Sequence, residues 1–198
     1  MMALRNNDYL VLSSNDALND LRRFFKVPGK LKLDVFHFVS VLKGENEQEI
    51  ESLKSKYNLP SDYFLVSNQF HKHKNHRVLL LTLARLNELG IRKHFAFTGK
   101  LPDESDSPYL KELHSIIEKN NLMSQISMLG IISRADQLAI MKHSQAVIQP
   151  SLFEGWSTVI EDAKSLQVPV VASNLKVNIE QLGDKGVYFD PHNVEELD

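Results

Sequence analysis

The chain has 198 residues, of which 42% are hydrophobic and 24% charged, with a net charge of −2 and no cysteine. That size and composition suit one or two domains with a single good core, the charge gives no electrostatic case for nucleic acid, and the lack of cysteine excludes a disulfide framework or a thiolate zinc site. No apolar run approaches the roughly 18 residues of a membrane-spanning helix, and the apolar part of MMALRNNDYL is too short for a signal peptide. A cytoplasmic protein is expected, with peripheral membrane contact left open.

In chain order, DYLVLSS reads as a strand, and SNDALNDLRRFFK as a helix capped by Ser14 or Asn15, with Ala17, Leu18, Leu21 and Phe25 on one face. Val27-Pro28-Gly29 stops that helix. LKLDVFHFVS alternates like a strand, and KGENEQEIESLKSKYNLP is charged, helical in its second half and ended by Pro60. This first third shows no compact core of its own.

From Tyr63 onward strands and helices alternate. Strands are expected at YFLVSN, KHFAFTG, QISMLG, QAVIQP, VPVVAS and GVYFD, with helices near 75–89, 109–120, 134–143, 159–166 and 178–182. The spacing predicts an α/β fold: a Rossmann-like, doubly wound parallel sheet with helices on both faces and a ligand crevice between its first and fourth strands. The closing HNVEELD reads as a helix cut off as it begins.

Two stretches carry chemistry. In QAVIQPSLFEGWSTVIEDAKSLQVPVVAS, a strand, a glycine-containing turn, a helix and a second strand form a βαβ unit. Thr158 and Glu161 have capping-box spacing, which starts the helix at Val159 and turns its free amides toward the turn, a place for an anion. Glu154 stands in that turn, so an acid and an anion hole lie side by side, as a phosphorylated, hydroxylated ligand requires. The second stretch, VSNQFHKHKNHRVLLLTLARL, follows the first strand and offers Lys72 and Lys74 to a diphosphate.

PSLFEGWSTVIEDAKSLQVPVVAS resembles the donor-binding segment of retaining nucleotide-sugar glycosyltransferases of family four, the glycosyl transferases group 1. Their pattern is a Pro-Ser run, Glu-Gly-aromatic, seven residues between two acids, and a Pro-containing strand. Aligned on Glu154 and Pro169, the second acid falls on Asp162, one methylene short of the family's Glu. The family also has an Arg and, five residues later, a Lys on the pyrophosphate; Lys74 matches the Lys, while the Arg position holds Gln69, with Lys72 or His73 as replacements. The resemblance implies one half of a GT-B fold, with residues 1–60 as the end of an amino-terminal acceptor domain and its linker. Residues 61–198 would then be a donor-binding domain truncated at its carboxyl end.

The implied reaction is transfer of a hexosyl group, mannosyl and glucosyl being the candidates, from a nucleoside diphosphate with retention of configuration. Lys74 and the helix start would stabilise the leaving diphosphate, Glu154 would orient the sugar, and Asp162 would accept from the ribose. Gly155, Trp156, Ser157 and Thr158 belong to the same turn. Gly99, after the second strand, allows close approach of a ligand or of another backbone, and Gly130, Ile131 and Ile132, after the third, suit a flat base. Trp156 serves equally to stack on the ligand or to plug the interdomain cleft. No metal or cofactor is expected: His71, His73 and His76 invite a zinc reading, yet no carboxylate and no HExxH helix accompany them. A dehydrogenase is disfavoured because NQFHKHKN replaces a GxGxxG. A non-catalytic scaffolding domain stays open, given Gln69 and Asp162.

Overall fold

A computed structural model describes residues 4, 6–42, 50–101 and 107–197. The amino-terminal part holds β1 (Tyr9–Leu12), α1 (Asn15–Phe24) and β2 (Lys32–Val35), the two strands forming a small parallel sheet of their own. Ser14 caps α1, its Oγ accepting from the Ala17 amide at 3.0 Å. The alternation expected through Ser40 ends as a strand at Val35. Its partner β1 stops at Leu12, whose carbonyl takes a last bond from the Phe36 amide (2.8 Å), and beyond it no strand among the described residues pairs with the chain. Residues 43–49 of the charged stretch lie outside the described residues, and its second half forms α2 (Ile50–Tyr57).

The main sheet comprises β3 (Phe64–Ser67), β4 (Phe95–Thr98), β5 (Ile126–Gly130), β6 (Val147–Gln149), β7 (Val170–Ser173) and β8 (Val187–Phe189). All are parallel, in the order β5-β4-β3-β6-β7-β8. Between them run α3 (His76–Glu88), α4 (Pro108–Lys119), α5 (Arg134–Lys142), α6 (Thr158–Ser165) and α7 (Lys176–Leu182). A short 3₁₀ turn at Val194–Leu197 stands where the closing helix was expected to begin.

Strand side chains alternate between faces, and each face has its own apolar layer. Leu65, Ala96 and Val147 pack with Leu53 of α2, Ile140 of α5 and Ile160 of α6. Their neighbours Val66, Phe97 and Ile148 pack with Leu79 and Leu83 of α3 and Leu113 of α4. Burial on both faces explains why these strands read as continuous apolar runs. Lys56 (2.7 Å) and Tyr57 of α2 both donate to Asp136 at the start of α5, and these bonds hold its carboxyl below the usual carboxylate range. Among the described residues no helix is long and apolar enough to cross a membrane.

The strand order reverses between β3 and β6, the point at which open α/β sheets leave a crevice at the carboxyl ends of their strands.

Candidate functional site

The loop after β3 makes one 3₁₀ turn, Lys72–Lys74, and enters α3 through Asn75, whose left-handed backbone (φ 54°) an asparagine tolerates. The Leu152 amide donates to the His73 carbonyl at 2.7 Å, tying this loop to the one after β6. The tie turns Lys74 inward, where its ammonium donates to Glu154 Oε1 although the two residues are 80 apart in sequence. Both side chains are largely buried, at 17% and 10% exposure. Lys72 points elsewhere: with His71, His73 and Leu152 it lines a separate surface recess, so the structure does not bring it to Lys74.

The three histidines do not converge. His71 and His73 stack on each other outside (5.7 Å), while His76 is buried beneath Phe70 at 4.3 Å. Neither ring nitrogen of His76 has a hydrogen-bond partner among the described residues. Burial drives its imidazole down to about 3, with Lys74 and His71 pushing the same way and a backbone contact with Asn68 opposing without prevailing.

A cavity of about 390 Å³ opens at the crevice, lined on the β3 and β4 side by Gln69, Lys74 and Gly99. Ile131 and Ile132 close it from the β5 side, and Glu154, Trp156, Ser157 and Thr158 from the β6 side. Gln69 stands at the mouth, its side-chain oxygen accepting from the Lys100 amide (3.0 Å). Gly99 has φ +130°, and a Cβ there would lie 2.4 Å from the Asn68 carbonyl oxygen; close backbone approach between the β3 and β4 ends is what it permits. Gly155 sits in the turn but not in the cavity wall, its carbonyl accepting from Ser13 Oγ at 3.3 Å.

The cap of α6 is Ser157, not Thr158. Its Oγ accepts from the Ile160 amide (3.3 Å) and its backbone is extended (φ −88°, ψ 117°), while Thr158 is already helical. Glu161 therefore does not close a capping box; buried, it accepts from Lys164 and Gln181, each at 2.9 Å. The Thr158 and Val159 amides, first in the helix, have no intrahelical acceptor and stand at the cavity wall, with the positive end of the helix dipole behind them.

Trp156 is held from one side: His37 stacks on its ring at 4.4 Å and its Nε1 donates to the Phe38 carbonyl at 3.0 Å. It thus fastens the amino-terminal segment while still reaching the cavity. Asp162 lies outside the cavity wall. Arg134 donates to both its oxygens, at 2.7 and 2.5 Å, and Ser40 Oγ adds a bond of 2.6 Å.

Several residues of this site were invisible to motif reading. Asn68 stands in its wall with Gln149 bonded behind it, and Ser67, Thr98 and Gln137 form a hydroxyl-amide group in the wall that also holds the two isoleucines, Ser67 bonding Thr98 at 2.8 Å and Gln137 at 2.5 Å. Polar residues closing an apolar strand, as in FLVSN, FAFT and AVIQ, are the signal that marks four of the five.

Residues 43–198 match the family model described as Glycosyl transferases group 1. The chain belongs to the group 1 glycosyl transferases. It is similar to EpsF of Bacillus subtilis (27% identical over 154 residues, 77% of this chain and 36% of that protein). It is similar also to the serotype-specific mannosyltransferase WbdA of Escherichia coli (26% over 152 residues, 76% of this chain and 18% of that protein). Among solved structures of GT-B enzymes, Anabaena HepE in complex with UDP and glucose superposes with a TM-score of 0.82 at 19% identity, over 99% of this chain and 53% of that one. Sucrose-phosphate synthase from Thermosynechococcus elongatus gives 0.77 at 19% identity, over 99% and 48%. The group 1 chain described here thus spans at most 36% of these two curated relatives and about half of each solved chain.

Proposed function

We propose that this group 1 chain is the donor-binding half of a retaining hexosyltransferase, taking a nucleoside-diphosphate sugar at the β3–β6 crevice. One observation carries the reading. A lysine and a glutamate from opposite sides of the strand reversal meet beside the free amides of α6, so that a cation, a helix end and an acid face one cavity. Diphosphate matches the first two, and sugar hydroxyls match the third. Ile131, Ile132 and the Ser67–Gln137 group suit the faces and edge of a base.

In the reaction, the bond between the sugar's anomeric carbon and the diphosphate breaks and the diphosphate leaves with the electron pair. Lys74 and the Thr158 and Val159 amides stabilise that charge. The acceptor oxygen forms the new bond to the anomeric carbon while its hydroxyl proton passes to the departing diphosphate oxygen, and Glu154 orients the sugar by accepting from its hydroxyls. The acceptor site falls to an amino-terminal domain, of which residues 1–60 are the end and the linker, and residues 61–198 are the donor domain. HepE, solved with UDP and glucose, and the mannosyltransferase WbdA support this class of donor.

A second reading, a non-catalytic nucleotide-binding scaffold, draws on one fact: Asp162, the acid aligned with the ribose-binding Glu, already has its oxygens occupied by Arg134 and Ser40. Calorimetric titration with uridine and guanosine diphosphates and their glucose and mannose derivatives tests the first reading. Lys74→Ala should weaken the nucleoside diphosphate by about 1.5–3 kcal/mol, the value of a charge-assisted hydrogen bond, and leave the nucleoside unchanged. Equal losses for both would refute the assignment, and donor binding by the whole enzyme without transfer would favour the scaffold.

A further inference from the structure

Gln149 ends β6 at the bottom of the crevice and is fully buried. Its side-chain oxygen accepts from Asn68 Nδ2 at 3.1 Å, across the β3–β6 boundary. That bond fixes the amide orientation and turns Nε2 toward Glu154, whose carboxylate can only accept. Nε2 lies 2.6 Å from Glu154 Oε1, with a longer contact of 3.4 Å to Ser151 Oγ. The backbone of Gln149 is itself held, its carbonyl accepting from Ser173 Oγ at 3.3 Å.

Lys74 donates to the same oxygen, Oε1. Two donors therefore converge on one side of the carboxylate, one cationic and mobile on a long stem, the other neutral and locked in the sheet. Oε2 has no donor among the described residues. A diphosphate entering the cavity competes with Glu154 for Lys74, because both are anions facing one ammonium. If Lys74 alone held the carboxylate, the ligand's arrival would release the acid that must meet its sugar.

We propose that Gln149 is a positioning residue for sugar recognition: its neutral amide, braced by Asn68, keeps Oε1 of Glu154 fixed and Oε2 presented while Lys74 moves to the diphosphate. The inference rests on the donor-site reading above and adds a residue to it. Gln149 touches no ligand and acts through Glu154. It divides the work between two donors, a strong one that can leave and a weaker one that cannot.

The test compares parent and Gln149→Met by calorimetry on the full chain, with UDP, GDP, UDP-glucose and GDP-mannose as probes. Methionine keeps the length and burial and removes the N–H. The expected result is nucleoside diphosphate affinity within twofold of the parent, with the ratio of sugar-bearing to sugar-free affinity reduced tenfold or more. Gln149→Glu keeps the acceptor for Asn68 but sets a second carboxylate against Glu154; it should lower the same ratio and serves if the methionine variant does not fold. A parent without preference for either sugar-bearing probe overturns the donor-site reading itself. A parental preference that survives in both variants overturns the role of Gln149 alone, as does a proportional loss of all four ligands or failure of both variants to fold.

Discussion

Replacing Glu154 by Gln separates the two partners of the ion pair at the crevice, and the direction of its effect is not the usual one for a binding-site mutation. Lys74 is committed to Glu154, with the two side chains only 17% and 10% exposed. At an effective dielectric of about 20, unit charges about 4 Å apart attract by about 4 kcal/mol, an upper figure for what a diphosphate must displace or share. The carboxylate also repels the incoming phosphates. Glu154→Gln removes both effects while Gln149 retains an acceptor to bond. Allowing for the charge that solvent and ligand recover, the net gain for a bare nucleoside diphosphate is about 1–2 kcal/mol, or about 5- to 30-fold in affinity. The nucleotide sugar, which loses its ionic acceptor, should lose its advantage over the diphosphate, and transfer by the whole enzyme should fall by orders of magnitude. Calorimetry with UDP and GDP, with and without sugar, reads both. Weaker binding of the bare diphosphate to Glu154→Gln would refute the reasoning, since it would mean that Glu154 and the diphosphate do not compete for Lys74.

Gly99→Ala forces a Cβ to within 2.4 Å of the Asn68 carbonyl at a φ of +130°, and the backbone strain alone costs about 1–3 kcal/mol. Its melting temperature should drop and donor binding weaken together, because the β3 end carries Asn68; an unchanged melting curve would refute the close approach. For His76 the folded pKa, about 3, lies below the unfolded value of about 6.5, so the unfolded chain binds the extra proton and stability falls as pH drops through that window. Between pH 7 and 5.5 this amounts to about 1 kcal/mol. Denaturant melts of parent and His76→Phe, which keeps the stack on Phe70, should differ in slope over that range; parallel slopes would show that His76 titrates in the fold.

The sheet was legible because its central strands are buried on both faces and so spell short apolar runs closed by one polar residue, with β6 and β7 as VIQ and VVAS. Helix starts were legible to within a residue or two. The α6 cap was not, because Ser157 and Thr158 are adjacent hydroxyls and the Thr-x-x-Glu spacing favours the second; backbone angles, which no residue pattern prints, decide for the first. The partners of the site were hidden for a different reason. Glu154 and Lys74 were each recognised as candidates, yet their mutual bond depends on strand order, which sets residues 80 apart side by side. Arg134 gave no sign that it would occupy Asp162, since that contact requires the start of α5 to lie against the middle of α6. Lys72 and Lys74, alike in sequence, part company because residues two apart in a 3₁₀ turn of three residues face different directions.

The line along which β3 meets β6 has the shortest ladder in the sheet. One residue pair, Leu65 with Val147, is in register there, against four between β3 and β4. The apolar layers on both faces run across that line, Leu65 with Val147 in one and Val66 with Ile148 in the other, and the cavity opens at its carboxyl end. A donor bound as proposed, by Lys74 from one side and by Glu154 and the start of α6 from the other, is fastened across that line. On that reading the occupied site is also a rivet, a tie added where the sheet's own ladder is shortest.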